Sequence, residues 1–264
     1  MGGSVVNRVL DLDRHPLSDP AYRVRARAAL DADGALILRG LVPAPVIESI
    51  IADVAGRMAE VFFAGSTHNV YLTEPDPALP ADHAHNRQVL STKGLLADDQ
   101  IPDDSSLRAI YGDGELRAFL CSVLGIETIH PYADRLSSIN VHFAPAGREL
   151  GWHFDNSSFA VTMLLQAPEA GGVFEYVPDA RKAAVGEQGY AIVDTVLDGE
   201  ATADIARLDF GPGDLVLFRG RDALHRVTPT VGDITRLLVV FAFNDEPGVE
   251  LSESALATFY GRSS

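Results

Sequence analysis

The residues best suited to chemistry are His153 and Asp155, in the segment GWHFDNSSF. In an extended chain, residues i and i+2 point to one face with Cα atoms about 6.5–7 Å apart, so this imidazole and carboxylate can converge on one metal ion. A third ligand from a distant strand would complete a facial triad, leaving the opposite positions open for a cosubstrate and dioxygen, an arrangement suited to Fe(II). On its own a His-x-Asp tripeptide is close to what chance supplies in so acidic a chain. The segment FGPGDLVLFRGRDALHRVTPT adds the missing partner: a GPGD turn launches an apolar strand, a second turn follows, and His225 opens the next strand. Eleven residues further, Arg236 opens RLLVVFAF and shares a face with Leu238 and Val240. An arginine among apolar side chains is costly unless a carboxylate meets it, either from a bound ligand or from an internal Asp or Glu.

These residues need strands to carry them. After residue 135, short apolar runs alternate with turn signals: SSINVHF, SFAVTMLLQ, VFEYV, ARLDF, LVLF and RLLVVFAF, separated by APAG, APEAGG, PDA, GPGD and RGRDA. Such punctuation indicates a sandwich or barrel. Before it, the spacing predicts helices over 21–33, from Pro45 through Val46, Ile47, Ile50, Ile51, Val54 and Met58, and over Leu116–Leu124 with Gly125 as the stop, with a short apolar strand, ALILRGLV, after the first helix. Residues 73–104, rich in Pro, Asp, Ala and His, are expected to form a long ordered loop or lid, and residues 182–203 an insertion with a short helix. The expected fold is mainly β with flanking α: one domain over 1–264, with a helical part over about 1–130 buttressing a jelly-roll core over about 131–245.

The order His-x-Asp, His, then Arg about ten residues later resembles the Fe(II)- and 2-oxoglutarate-dependent oxygenase superfamily, and DADGALILRGLV followed by a helix is similar to its N-terminal opening. The resemblance implies a double-stranded β-helix (cupin-like) fold, with His153, Asp155 and His225 as metal ligands. It implies that Arg236 anchors the distal carboxylate of 2-oxoglutarate, with Fe(II), 2-oxoglutarate and O2 as the reacting set. The usual Arg-x-Ser pattern is broken by Leu238, so a second contact to that carboxylate must come from elsewhere, and Thr162 and Thr228 are the candidates. HNVYL at 68–72, WHFDN, LLQAPEAGGVFEYVPDAR and LHRVTPT are similar to the bacterial free amino-acid halogenases and hydroxylases. Halogenating members carry Gly where this chain keeps Asp155. The resemblance therefore implies hydroxylation, or a related oxidation such as desaturation or cyclisation, with release of succinate and CO2.

For the substrate, Asn156 follows the ligand pair and either points at it or stabilises a turn. His68, Asn69 and Tyr71 lie in HNVYL, and ordered loops often carry function. Asn140 and His142 share one face of a strand, lining the pocket or facing solvent. Asp134 is a candidate partner for a substrate ammonium, and Leu136, Leu150, Leu238 and Val240 suit an aliphatic portion. Arg181 and Arg221 are further carboxylate partners or surface ion-pair members, with Glu175 able to pair either. Trp152 suits packing, and His83 and His85 suit solvated loop positions.

A net charge of −16 argues against a nucleic-acid or anionic-membrane partner, and no apolar run approaches a membrane span. The single cysteine, Cys121, excludes an intrachain disulfide and a thiolate cluster; with no signal-peptide pattern, a cytoplasmic setting and a small-molecule substrate are expected. Oligomeric state is open, a homodimer included. Two rivals stand beside the oxygenase: a cupin-like isomerase or 2-oxoglutarate-independent dioxygenase, neither of which needs Arg236, and a non-catalytic metal-binding module.

Overall fold

The computed structural model describes residues 9–200 and 205–263. Strands, in chain order, are β1 (Ala35–Leu38), β2 (Phe62–Phe63), β3 (Ser66–Asn69), β4 (Gln88–Ser91), β5 (Gly94–Leu96), β6 (Ile139–Ala144), β7 (Leu150–His153), β8 (Ala160–Gln166), β9 (Ala170–Gly171) and β10 (Phe174–Val177). They continue as β11 (Ala206–Leu208), β12 (Leu215–Phe218), β13 (Leu224–Val227), β14 (Thr230–Val231) and β15 (Arg236–Phe241). The helices are α1 (Pro20–Asp33), α2 (Ala44–Ala55), α3 (Ser106–Tyr111), α4 (Gly114–Leu124), α5 (Tyr190–Leu197) and α6 (Glu253–Tyr260).

A major sheet, ordered β1-β12-β8-β15-β6-β5-β2, faces a minor sheet, ordered β11-β10-β13-β7-β4-β3. All pairings are antiparallel, giving the double-stranded β-helix expected from the sequence. The major sheet alternates with period two. Ile139, Val141 and Phe143 of β6, Val161, Met163 and Leu165 of β8, and Leu237, Val239 and Phe241 of β15 join the core beneath the helices. Their neighbours Asn140, His142, Thr162, Arg236, Leu238 and Val240 face an interior cavity between the sheets. One register therefore divides these residues between core and cavity.

Local signals start and stop the helices. The Asp19 carboxylate accepts the N–H groups of Ala21 and Tyr22 ahead of α1, and the Asp113 carboxylate accepts that of Leu116 in α4. Gly34 and Gly125 then end these helices in the left-handed conformation. Met58 falls outside α2, in a short 3-10 turn over Met58–Glu60.

Two expectations are corrected. Residues 73–104 are not one long loop, since β4, β5 and a 3-10 turn occupy their second half. The first 130 residues are not simply helical, because β1 to β5 extend both sheets and cover edges that would otherwise be unpaired. Helices α3 and α6 carried no clear periodic signal; both are short and held by tertiary contacts. The expected insertion is present, with α5 clasped by Arg87, whose guanidinium meets Asp194 at 3.2 Å and Asp198 at 2.8 Å; residues 201–204 of that span lie outside the described residues. Among the described residues no helix is long and apolar enough to cross a membrane.

Candidate metal centre and anion pocket

His153 ends β7 and His225 lies on β13, and the two residues stand directly opposite each other in the register of that strand pair. Their ring centroids are 4.1 Å apart. His153 Nδ1 lies 2.8 Å from the Gly151 carbonyl and His225 Nδ1 lies 2.9 Å from the Ala223 carbonyl. A carbonyl can only accept, so each ring carries its proton on Nδ1 and presents the Nε2 lone pair. Both lone pairs converge on Asp155 Oδ1, at 3.6 Å from His153 and 3.5 Å from His225. Donors about 2.1 Å from one ion and at right angles to each other would stand about 3 Å apart, so this set closes on a metal with small adjustment. Among the described residues it is the one group with such spacing.

Electrostatics keeps the set ready. Burial, then the neighbouring His225, pushes the His153 ring down to about 3, so it is neutral at physiological pH. Burial alone would raise the Asp155 carboxyl, but the His225 and His153 rings and Lys93 together outweigh it and hold it at about 2. Metal ligation needs neutral imidazole and ionised carboxylate, the states that His153 and Asp155 hold.

Arg236 begins β15 on the opposite sheet, buried, and lines the same cavity of about 380 Å³ as the three ligands. Among the described residues it has no hydrogen bond or ion pair, and burial lowers its pKa to about 10. A Cβ on Gly172 would approach Arg236 Cδ to 2.7 Å, so that glycine makes room for the arginine stem. The internal salt bridge that could have explained Arg236 is not formed. Glu175, the buried acid nearest in character, is instead shared by Arg207 and Arg226 at 3.3 and 2.8 Å.

Lys93, between β4 and β5, is the residue that motif reasoning missed. It is half-buried. It lines both the inner cavity and a wider one of about 880 Å³ that opens beside it. Burial lowers its pKa to about 8, against the pull of Asp155 and with a small push from Arg236. Among the described residues its ammonium has no partner. The sequence held one clue, since Lys93 is one of two lysines beside a large excess of arginine. His142, on the same wall, is held well below its ordinary pKa by burial and by Lys93 and Arg236, so it stays neutral.

The other candidates divide. Asn140, His142, Asn156, Thr162, Leu150, Leu238 and Val240 line the inner cavity, and Asn140 also accepts the Tyr260 hydroxyl at 2.7 Å. His68 lines the outer cavity, its Nε2 2.7 Å from Ser91 Oγ. Asn69 borders that cavity, but its side chain closes a turn by accepting from the N–H groups of Tyr71 and Thr73. Tyr71 lies outside both cavities, donating to the Gln188 carbonyl and stacking between His85 and Phe154. Thr228 lies outside them as well, its hydroxyl accepting from the Val173 N–H.

Asp134 is corrected from ligand partner to brace, because its carboxylate accepts from Leu136, Ser137 and Leu251. Leu136 packs in a small cluster with Tyr260 rather than on the cavity wall. Arg181 and Arg221 hold backbone, donating to the carbonyls of Asp155 and Asn156, and Glu175 pairs neither. Trp152 packs as expected, under Arg226. His83 and His85 pack against Tyr190 and Tyr71. Helix α6 was not foreseen at the site, yet Phe259 and Tyr260 help to wall it.

Comparison with known proteins places the family and the fold. The family model described as Halogenase D matches residues 19–257. The chain belongs to the halogenase D family. No curated protein matches it. Among solved structures it is similar to the non-heme alpha-ketoglutarate-dependent epimerase SnoN from nogalamycin biosynthesis, with TM-score 0.56 and 16% identity over 86% of this chain and 84% of that one. It is also similar to HygX from Streptomyces hygroscopicus with nickel and 2-oxoglutarate bound, with TM-score 0.55 and 14% identity over 86% and 89%. A 2OG-Fe(II) oxygenase-family oxidoreductase from Burkholderia pseudomallei gives TM-score 0.54 and 14% identity over 86% and 93%. At these identities the likeness concerns the double-stranded β-helix, which this member of the halogenase D family shares.

Proposed function

We propose that this protein is an Fe(II)- and 2-oxoglutarate-dependent oxygenase that hydroxylates an unactivated C–H bond of a small amino acid or amino-acid derivative. One observation carries the reading: the His153–Asp155–His225 set and an unpartnered, buried Arg236 share one cavity. A cupin-like isomerase, a dioxygenase without 2-oxoglutarate or a metal-binding module has no use for that arginine, whose burial is unfavourable until an anion reaches it.

His153 Nε2, Asp155 Oδ1 and His225 Nε2 would hold the metal, and Arg236 would take the distal carboxylate of 2-oxoglutarate as a bidentate pair. Thr162, on the same wall, is the candidate for a second contact; Thr228 is weaker because it does not line the cavity. When bound, iron and 2-oxoglutarate supply the oxidising power, consuming dioxygen and releasing succinate and CO2. The chain's own residues orient the substrate and exclude water. Leu150, Leu238, Val240, Phe174 and Phe218 give the cavity an apolar lining suited to an aliphatic portion.

Lys93 supports the amino-acid reading. Arg236 lines only the inner cavity, whereas Lys93 stands where the inner and outer cavities meet. With one cation committed to 2-oxoglutarate, the second suits the carboxylate of a substrate entering from outside. Asn156 and His68 lie on the same approach, and Glu149 and Glu74 are the wall carboxylates available to an ammonium. The family's name favours halogenation as the second reading. Against it, Asp155 fills the position that a halide would need.

Anaerobic reconstitution with Fe(II) and 2-oxoglutarate tests the assignment. A weak visible charge-transfer band is expected in the wild type and none in His225→Ala. Folded wild-type protein that binds Fe(II) yet shows no band on adding 2-oxoglutarate would exclude the proposal. Succinate release across a panel of amino acids then identifies the substrate.

A further inference from the structure

Gly220 follows β12 and is buried beside the metal set. Its carbonyl accepts the Asp155 N–H at 3.0 Å, which draws the two segments together. Its φ is not positive, so its backbone conformation is open to other residues and only space restricts the position. A Cβ built there would lie 1.9 Å from Asp155 Oδ2, 2.6 Å from Cγ and 3.0 Å from Cβ. No relaxation of a distant flexible chain can absorb this overlap, because the atoms in the way are the carboxylate itself.

The orientation of that carboxylate has no other visible support. Asp155 Oδ1 faces the two histidines, whereas Oδ2 is buried with no hydrogen-bond partner among the described residues. Metal-ligating carboxylates are ordinarily held by hydrogen bonds to their second oxygen. Here Oδ2 is braced by contact with a bare Cα.

We propose that Gly220 is the positioning residue that decides whether the protein supplies two or three metal ligands. Its missing side chain is the space in which Asp155 Oδ2 rests. Any side chain there turns the carboxylate away from the histidines and leaves a two-histidine site. The inference rests on the metal reading above and deepens it.

The test compares Gly220→Ala, Asp155→Gly and the double variant with the wild type. Fe(II) affinity is measured anaerobically without substrate, and thermal unfolding without metal. Gly220→Ala is expected to weaken Fe(II) binding roughly tenfold to a hundredfold, as supporting-shell substitutions do. It is also expected to lower the metal-free melting temperature. In the Asp155→Gly background both effects should vanish, because the clashing group is gone. Unchanged Fe(II) affinity in Gly220→Ala, additive losses in the double variant, or a folding failure that Asp155→Gly does not rescue would each overturn the inference while leaving the metal site intact. A wild-type protein that binds no Fe(II) would overturn both.

Discussion

The two walls of the cavity are built on opposite terms. On the minor sheet the histidines are oriented before any ligand arrives: they face each other across one strand pair, and each Nδ1 is fixed by a backbone carbonyl two residues earlier. Across the cavity, Arg236 is buried on the major sheet and Lys93 half-buried between the two sheets, neither with a partner among the described residues. The metal wall is thus pre-organised, and the cationic wall is incomplete until anions bind. A pre-organised site loses little on binding, whereas an unsatisfied buried charge gains the interaction it lacks. The anionic ligands should therefore contribute most of the ligand-dependent stability and selectivity, with the metal setting only where chemistry happens.

The sharpest way to break this contrast is Arg236→Ala. Removing the bidentate partner should weaken 2-oxoglutarate binding by about a hundredfold, corresponding to about 3 kcal/mol for a buried charge-assisted pair. Fe(II) affinity should change by no more than about twofold, both read by titrating the visible band. Equal loss of metal and cosubstrate would show that Arg236 supports the fold rather than the ligand.

Lys93→Met should act on the other ligand. For the amino acid that gives most succinate, KM should rise by about tenfold, the scale of one charge-assisted hydrogen bond, with 2-oxoglutarate affinity little changed. A matching loss of 2-oxoglutarate affinity would instead assign both cations to the cosubstrate.

The smallest effect is a pH dependence in the ligand-free protein. Lys93 has a folded-state pKa lowered to about 8 from 10.5. Below pH 8 it is protonated folded and unfolded, and the full cost of its buried charge is present. As the pH rises towards 10.5 the folded protein releases the proton while the unfolded chain keeps it, so that cost is relieved. Lys93→Met should therefore be the more stable protein at pH 7, by on the order of 1 kcal/mol, and this advantage should shrink towards pH 10. Denaturant unfolding at both pH values measures it, and a constant difference would mean that Lys93 is solvated.

The sequence made the major sheet legible because its periodicity is strict. Once Arg236, Leu238 and Val240 share a face, Leu237, Val239 and Phe241 must take the other, and they do. The metal set was visible because two candidate ligands are two residues apart on one extended segment and the third lies on the strand that follows the one launched by GPGD. Lys93 and Gly220 were not visible, because neither has a local pattern. A lysine between two short strands looks solvated, and a glycine in FRGRDA looks like any turn residue. Their meaning lies in what reaches them from distant segments. Asp134 failed for the converse reason: an acid in a turn captures nearby N–H groups before it can serve a ligand.

Helix α6 gives the chain's far end a direct share in the cavity. Phe259 and Tyr260 wall the inner space, the Tyr260 hydroxyl is bonded to Asn140, and Arg262 grips Asp99 at 3.0 Å through Nη1. The last strand of the barrel ends at Phe241, nearly twenty residues earlier. A boundary drawn there would keep His153, Asp155, His225 and Arg236 but remove part of the cavity wall. In this protein the segment that looks expendable to anyone trimming a β-barrel is a panel of the cavity.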